Sequence, residues 1–269
     1  MNLLINFITS NTATFILILI RVSGIFVAAP VFSRNNIPML TKAALSVIVS
    51  LILLPTITPV NQTIAQSFLN MLYLSFFEFG IGVIIGLVGA MYFSSLYLAG
   101  TIVDTQVGFA MVNVLDPQTN TQIPIMGNLY NVIFTLIFIA VNGHHFIIRT
   151  LVQSYAIIPL GRIYPINEFF IEHLTVVMTD VFIFAFKLSA PILAMIFLAN
   201  VLLGILARTM PQMNVFIIGM PLKITIGLIT ILITMQFFIP FSERLFDRMF
   251  HATYNLLEIM SRGMIIWNL

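Results

Sequence analysis

The sequence predicts an all-α integral membrane protein in which about six long hydrophobic segments form helical hairpins. The first observation is composition: 60% of the 269 residues are hydrophobic, 7% are charged, and the mean hydropathy is +1.09. The second is that the apolar residues fall into continuous runs long enough to cross a bilayer. A soluble domain carries about 25% charged residues, so this chain has too little polar surface to enclose itself in water.

Six stretches are long and apolar enough for a spanning helix of roughly 20 residues. Most of the prolines lie at or near the edges of these stretches, where helices tolerate them, whereas Pro191 falls inside the fifth and should kink or break it. The third and fourth stretches exceed one straight crossing, which leaves tilt or a hairpin open for each. The stretches are about 12–32, 41–59, 71–99, 129–158, 178–206 and 215–240.

Two further patterns concern helix packing. The third stretch repeats small residues at helical spacing, Gly82, Gly86 and Ala90, which favours close helix contacts in an apolar medium. The region of about 241–262 alternates apolar and charged residues, as an amphipathic helix at the membrane interface does. We expect one domain over residues 1–269. Lysines and arginines show little asymmetry between the predicted loops, so either the topology is no simple serpentine or the runs bury against other subunits.

Composition and motifs also exclude several classes of function. The chain has no cysteine, which excludes disulfides, thiolate metal sites and cysteine nucleophiles. The formal net charge of +2 is too small and scattered to predict nucleic-acid binding. The sequence contains no P-loop, dinucleotide fingerprint or nucleophile elbow. We therefore predict no enzyme, and no catalytic, cofactor-binding or metal-binding residues.

Four ionisable residues fall inside the hydrophobic runs: Arg21, Glu78, Asp180 and Lys187. Each costs roughly 2.5–3.5 kcal/mol on insertion scales, so a partner is expected for each. Arg21 and Glu78 could pair between helices, while Asp180 and Lys187 lie on one helix face about two turns apart. Two interpretations stay open. These charges are buried ion pairs that set helix register, or they form a relay for protons or ions.

Two polar stretches interrupt the hydrophobic runs, "VDTQVGFAMVNVLDPQTNTQIP" at 103–124 and "ARTMPQMNVFIIGMPLKI" at 207–224. Irregular polar backbone between membrane helices survives only where it is buried in protein or lines a water-filled path. Two such breaks favour a pore or gate, with ordinary connecting loops as the alternative. Asp104 and Asp116 do not form a protease dyad, because both lie in one loop and a dyad needs two carboxylates brought close enough to share a proton.

Three stretches together resemble the FliR family, the export gate protein of the flagellar type III apparatus, called SctT in virulence injectisomes. They are "RVSGIFVAAPVFS" at 21–33, the central stretch from Gly100 to Pro124, and "ARTMPQMNVFIIGMPLKI". The resemblance covers essentially the whole chain. It implies a core subunit of a hetero-oligomeric helical assembly with FliP-like, FliQ-like and FlhB-like subunits. It also implies unfolded flagellar export substrates, contact with membrane lipid, and a place in the bacterial inner membrane within the flagellar basal body.

The resemblance further implies roles for two sets of residues. The central loop contributes a pore plug, and compliant apolar side chains in such a plug exclude water by dewetting. The plug falls on Gly108, Phe109, Ala110, Met111, Val112 and Asn113. The C-terminal motif is expected to serve assembly through Arg208, Pro211, Gln212, Asn214, Gly219, Pro221 and Lys223. The alternative function is a small-molecule secondary transporter whose path is lined by the four intramembrane charges.

Overall fold

The computed structural model describes residues 11–33, 37–59, 68–109, 124–162, 168–212 and 214–265. These residues form helices and no strand, which confirms the all-α membrane class. Short 3₁₀ turns, Leu54–Thr56 and Met235–Phe237, follow the second and seventh helices. The helices are α1 (Thr12–Ala28), α2 (Met39–Leu53), α3 (Phe68–Val107), α4 (Ile125–Ala140), α5 (Gly143–Ile157), α6 (Glu168–Thr209), α7 (Val215–Thr234) and α8 (Phe238–Ile265).

The expected number of six spans is wrong for the described residues. Four helical segments are long and apolar enough to cross a membrane: Met39–Thr56, Phe68–Val107, Glu168–Thr209 and Ile217–Arg262. A fifth span results only if α4 and α5, which are bent by 69° at their junction, are counted together. The first run forms a helix of 17 residues, roughly 26 Å at 1.5 Å per residue, which falls short of a hydrocarbon core about 30 Å thick.

Three helix boundaries also differ from the sequence prediction. Helix α6 is continuous through Pro191, so this proline does not break the fifth run. The fourth run is divided at Asn142, which has a left-handed φ of 58°. Helix α3 has 40 residues and ends at Val107, so the first residues of the central polar stretch are helical. At 1.5 Å per residue α3 is about 60 Å long, roughly twice the hydrocarbon thickness.

Helix α8 confirms the amphipathic C-terminal segment, but its apolar face is buried in the protein and not left for a membrane interface. The chain buries this face over three turns while leaving the charges of the same turns exposed. The buried side chains are Leu245, Phe246, Met249, Ala252, Leu256 and Leu257, and the exposed ones include Glu243, Arg244, Asp247 and Arg248. The periodicity therefore separates protein core from a polar outer surface.

The chain divides into two compact units, which we describe separately. Unit 1 comprises Met1–Met91, Asn142–Val177 and Arg248–Leu269; unit 2 comprises Tyr92–Val141 and Met178–Asp247. The expectation of one domain over residues 1–269 stays a prediction.

In unit 1, α1 crosses α3 at small residues. A Cβ on Gly24 would lie 2.6 Å from the Phe79 carbonyl oxygen, and one on Gly86 would lie 2.6 Å from Ala28 Cβ. A Cβ on Gly82 would meet the Arg21 carbonyl. The predicted packing role of the small-residue stripe is thus confirmed for Gly82 and Gly86.

In unit 2, the core is built from aromatic rings on α3, α4 and α8. The Phe93 ring lies 4.7 Å from Phe134 in an edge-to-face arrangement, and Phe134 stacks on Phe246 with ring centroids 4.4 Å apart. Tyr130 stacks on Phe238 at 5.6 Å. Such pairs add about 0.5–1.5 kcal/mol each beyond the area they bury. They hold α4 against the C-terminal half of α3, where the central loop begins.

Candidate functional site

The central loop leaves α3 at Gly108 and enters α4 after Pro124. Gly108 has a φ of 101°, which favours glycine, and its N–H donates to the Asp104 carbonyl at 3.1 Å, so it ends α3. Gly108 and Phe109 are both partly buried. The other four residues of the expected plug, Ala110, Met111, Val112 and Asn113, lie outside the described residues.

Asp104 binds both ends of this loop. Its backbone carbonyl accepts from Gly108 at the end of α3, and its carboxylate oxygens both accept from the Met126 N–H at 3.2 Å. Met126 is the second residue of α4, and Pro124 at the N-cap offers no side-chain cap of its own. A carboxylate from a neighbouring helix therefore satisfies one of the N–H groups that a helix start leaves open, and it also complements the helix dipole there.

The same two helices approach most closely one turn away from Asp104. A Cβ on Gly100 would collide with the Gly127 backbone and with the Met126 carbonyl carbon. Both glycines are buried. Because no side chain separates the helices at this point, the carboxylate of Asp104, which is 4% exposed, reaches the α4 backbone. We call Gly100, Asp104, Gly108, Met126 and Gly127 the loop base.

A groove of about 450 Å³ lies beside the loop base in unit 2. It is lined by the last residues of α3, by the C-terminal part of α6 and by the first turns of α7. The lining residues are Thr105, Gln106, Val107, Gly108, Asn200, Leu203, Gly204, Ala207, Gly219, Met220 and Lys223. Two of the predicted sites, the plug and the C-terminal motif, therefore meet through Gly108, Gly219 and Lys223.

The remaining residues of the C-terminal motif are distributed between the end of α6, the following turn and α7. Gly219 is buried, with a Cβ placed there 3.1 Å from Leu203 Cδ1, and Lys223 is half-buried. The sequence prediction placed Pro221 near the edge of the sixth hydrophobic run. In the structure it lies inside α7. The exposed members are Arg208, Pro211, Gln212, Asn214 and Pro221. Of the seven motif residues named, Gly219 alone is buried.

Two of the four intramembrane charges meet in unit 1. Arg21 Nε donates to Glu78 Oε2 at 2.6 Å, and the two side chains are 0% and 1% exposed. Arg21 Nη1 donates to Ser154 Oγ at 3.1 Å, and Nη2 donates to the Ile158 carbonyl at 3.0 Å. The guanidinium carbon also lies 4.3 Å from the centre of the Tyr155 ring. The other oxygen of Glu78, Oε1, accepts from the Gly161 N–H at 3.2 Å.

Three helices contribute to this buried cluster. Helix α1 supplies the arginine, α3 supplies the carboxylate, and α5 with its C-cap Ile158 supplies the hydroxyl and the carbonyl. The close crossing at Gly82, one turn beyond Glu78, places α1 near enough for the 2.6 Å bond. Both charges are enclosed, so they line no open path within the part of the chain that the structure describes. The geometry favours the interpretation as a lock on helix register over a transporter path.

The other two intramembrane charges, in unit 2, are not brought together. Asp180 Oδ2 accepts from the Tyr92 hydroxyl at 2.9 Å, and Asp180 is half-buried. Lys187 is exposed, with its ammonium 5.9 Å from the Phe184 ring centre. Burial of Lys187 therefore needs a surface from outside this chain. Across the described ranges, no three His, Asp or Glu residues are grouped as metal ligands would be.

Sequence reasoning missed the loop base. Asp104 was weighed only as half of a protease dyad, and Gly100 and Gly127 were not singled out. A signal was present, because a glycine stands inside an apolar helix on each side of the polar stretch. That pattern indicates that the helices flanking the loop approach closely. Ser154 and Ile158 were missed for a different reason, since they lie 133 and 137 residues from Arg21.

Comparison with known proteins identifies the family. A family model described as bacterial export proteins, family 1, matches residues 12–249. The chain is 32% identical over 249 residues to the flagellar biosynthetic protein FliR of Bacillus subtilis (strain 168), across 91% of this chain and 95% of the relative. It is 28% identical over 240 residues to FliR of Escherichia coli (strain K12), across 89% of this chain and 91% of the relative.

A relative from a virulence system also matches. The Yop proteins translocation protein T of Yersinia pestis is 28% identical over 222 residues, across 82% of this chain and 85% of the relative. The resemblance to the FliR family is thereby confirmed. This chain belongs to the bacterial export proteins, family 1, and is a membrane-embedded component of the flagellar type III export apparatus.

Proposed function

We propose that this chain is a core subunit of the export gate, forming with FliP-like and FliQ-like subunits the channel through which unfolded flagellar proteins leave the cytoplasm. Its central loop supplies a plug that seals this channel. A FlhB-like subunit associates with the complex, and the assembly sits in the bacterial inner membrane within the flagellar basal body. The observation that carries the proposal is the loop base, in which one buried carboxylate binds both ends of the central loop.

The loop base supports the proposal of a plug because a plug must stay in a fixed position to exclude ions and water. Asp104 and the Gly100–Gly127 crossing join the two ends of the loop to rigid helices. The proposed plug residues Phe109, Ala110, Met111 and Val112 all have apolar side chains. Apolar side chains in a constriction exclude water by dewetting, and methionine adapts to irregular contacts.

The outer surface supports assembly with other subunits. Of the 18 most apolar consecutive residues of the segment Glu168–Thr209, 22% are buried in this chain. Phe182, Phe186 and Phe197 are each more than 60% exposed. Surfaces of this kind need lipid or a protein partner. Helices as long as α3 and α6, with 40 and 42 residues, extend well beyond one hydrocarbon thickness, which favours protein partners along part of their length.

The C-terminal motif is the proposed assembly element. Arg208 at the end of α6, Gln212 in the following turn and Lys223 inside α7 carry polar groups that are exposed or half-exposed. Arg208 and Lys223 form no ion pair with a residue that the structure describes. Charges of this kind, placed among apolar helices, gain most from carbonyls or carboxylates of neighbouring subunits.

The test of the plug is to shorten residues 108–113 and measure two properties in cells that express the complete gate. We expect the complex to assemble, because the helices and the C-terminal motif are unchanged, and the membrane to become permeable to ions and small solutes. Phe109→Ala should leak less than the deletion, and Met111→Asp should leak more than Phe109→Ala because a charge wets the constriction.

Thr119→Ala, in the same loop but outside the proposed plug, is the matched control and should not leak. An intact complex that lacks residues 108–113 and keeps wild-type permeability would contradict the proposal. A loop that only connects two helices gives that result.

A further inference from the structure

The groove beside the loop base contains a cation that has no counter-charge among the described residues. Lys223 lines the groove, is half-buried, and forms no hydrogen bond or ion pair with any residue in the described ranges. The carboxylate of Asp104, one turn before Gly108, is already engaged, since it accepts from the Met126 N–H. Lys223 therefore lines a cleft that the described residues do not fill.

The surroundings make this charge costly unless something fills the cleft. Lys223 lies in the apolar helix α7, and Leu203, Val107 and Met220 contribute apolar walls. A cation in such surroundings is stabilised by an anion that is itself shielded from water. Asn200 and Gln106 on the rim supply additional hydrogen-bonding groups, but neither neutralises a charge.

The shape of the groove suits a helix or an extended segment and not only a single ion. Gly204 on α6 and Ala207 one turn later leave its floor without bulky side chains. A Cβ on Gly204 would meet no atom of the described chain within 4 Å, so the space above it is open. Small residues on the surface of one helix allow the backbone of another helix to approach closely in an apolar medium.

We propose that this groove binds a helix of a partner subunit that carries an aspartate or glutamate, whose carboxylate pairs with Lys223. The inference rests on the proposed function, because it specifies how the C-terminal motif joins the gate. Charge complementarity selects an acidic partner, and the open floor at Gly204 selects a helix that packs closely. Because Gly108 forms part of the same groove, the partner also contacts the residue at which the central loop leaves α3.

Two variants test the charge and the shape separately in cells that co-express the FliP-like and FliQ-like subunits. Lys223→Met removes the cation, and we expect the co-purified complex to fall about tenfold or more, as truncation of one partner of a buried charge pair does. Lys223→Arg keeps the charge and should keep most of the complex. A Cβ at Gly204 meets no described atom within 4 Å, so Gly204→Leu should fill the groove and also block assembly.

Gly80→Leu is the matched control for Gly204→Leu. Gly80 also lies inside a long apolar helix, and a Cβ there would meet no atom of the described chain within 4 Å. Both leucines raise helix propensity by a similar amount, so a folding effect would appear in both variants. Assembly should be lost only with Gly204→Leu.

The occupant is identified with photo-methionine, a size-matched analogue that replaces Met220 in the groove wall along with the other methionines. Crosslinks from position 220 that map to a partner segment with an aspartate or glutamate support the proposal. Crosslinks only to phospholipid, or only to a segment without an acidic residue, overturn it, as does normal assembly of Lys223→Met or Gly204→Leu. The plug is tested by permeability with the groove intact, so either idea can fail while the other stands.

Discussion

The Arg21 cluster and the Lys223 groove show two opposite ways in which this chain treats a charge among apolar helices. Arg21 donates to a carboxylate, a hydroxyl and a carbonyl, and is 0% exposed. Lys223 is half-buried and meets no acceptor among the described residues. One charge is satisfied by described residues of this chain, and we propose that the other is satisfied by a partner subunit.

The difference indicates which charges serve the fold and which serve assembly. A buried pair that is completely hydrogen-bonded stabilises one register of α1, α3 and α5, and it offers no bonding capacity to a partner. An unsatisfied cation beside an open groove contributes nothing to the fold of the isolated chain and gains its stabilisation only when a partner binds. Mutations at the two sites should therefore have separable consequences.

The largest effect is expected at the satisfied site. Arg21→Ala leaves Glu78 buried with the Gly161 N–H as its one remaining partner among the described residues, and loss of one member of a buried pair costs about 3–5 kcal/mol. We expect the chain to be degraded, with or without its partners. Replacing both members, Arg21→Met with Glu78→Met, should recover much of the loss, because no charge is then left unpaired. Chain abundance on immunoblots checks both outcomes, and equal loss in the single and double variants would count against the lock.

A smaller effect is expected at the helix crossing of the loop base. Gly100→Ala places a methyl group against the Gly127 backbone and should cost about 1–3 kcal/mol, as overpacking does. The displaced α4 should also loosen the loop, so the assembled gate should leak. Thermal unfolding of the purified complex and solute uptake measure the two effects. Gly80→Ala, which meets open space, serves as the control and should be neutral or slightly stabilising; a similar loss in both variants would refute the crossing as the cause.

The smallest effect is expected from Asp104→Asn. The amide keeps an oxygen that can accept from Met126 but loses the negative charge at the start of α4, so we expect a loss of about 0.3–1 kcal/mol. Asp104→Ala removes the acceptor as well and should cost about 1–2 kcal/mol. The ordering of the two midpoints in thermal unfolding is the test. If Asn and Ala destabilise equally, the carboxylate does not act as a cap.

Much of the architecture could be predicted because lipid-facing helices have a simple pattern. Long apolar runs predicted the helical segments from α1 to α7, and alternation of apolar and charged residues predicted α8. The number of spans could not be read in the same way, since hydropathy does not distinguish contact with lipid from contact with protein. Asn142 and Gly143 carried a turn signal inside the fourth run, but the apolar residues on both sides obscured it.

The candidate sites show more clearly how much of the structure cannot be predicted from the sequence. Arg21 and Glu78 stood out because ionisable residues are rare in apolar runs, and their pairing was one of the arrangements considered. Ser154 and Ile158 have no comparable signal in the sequence, because a serine hydroxyl or a backbone carbonyl becomes a partner of Arg21 only through tertiary packing. The same holds for Asp104, whose role as a cap depends on a helix that begins 21 residues later. The proposal that residues 108–113 form a plug rests on the family resemblance and not on the pattern of this chain.

The most direct test of the comparison is a protease-resistance assay on full-length chains synthesised without cells into lipid nanodiscs, with and without the FliP-like and FliQ-like subunits. Without partners, we predict that Arg21→Ala is digested faster than wild type, while Lys223→Met is digested at the wild-type rate. With partners present, the wild-type chain should become protected and co-purify, and Lys223→Met should do neither. If Lys223→Met is digested as fast as Arg21→Ala in the absence of partners, or if Arg21→Ala resists digestion like wild type, the division between a fold charge and an assembly charge is wrong.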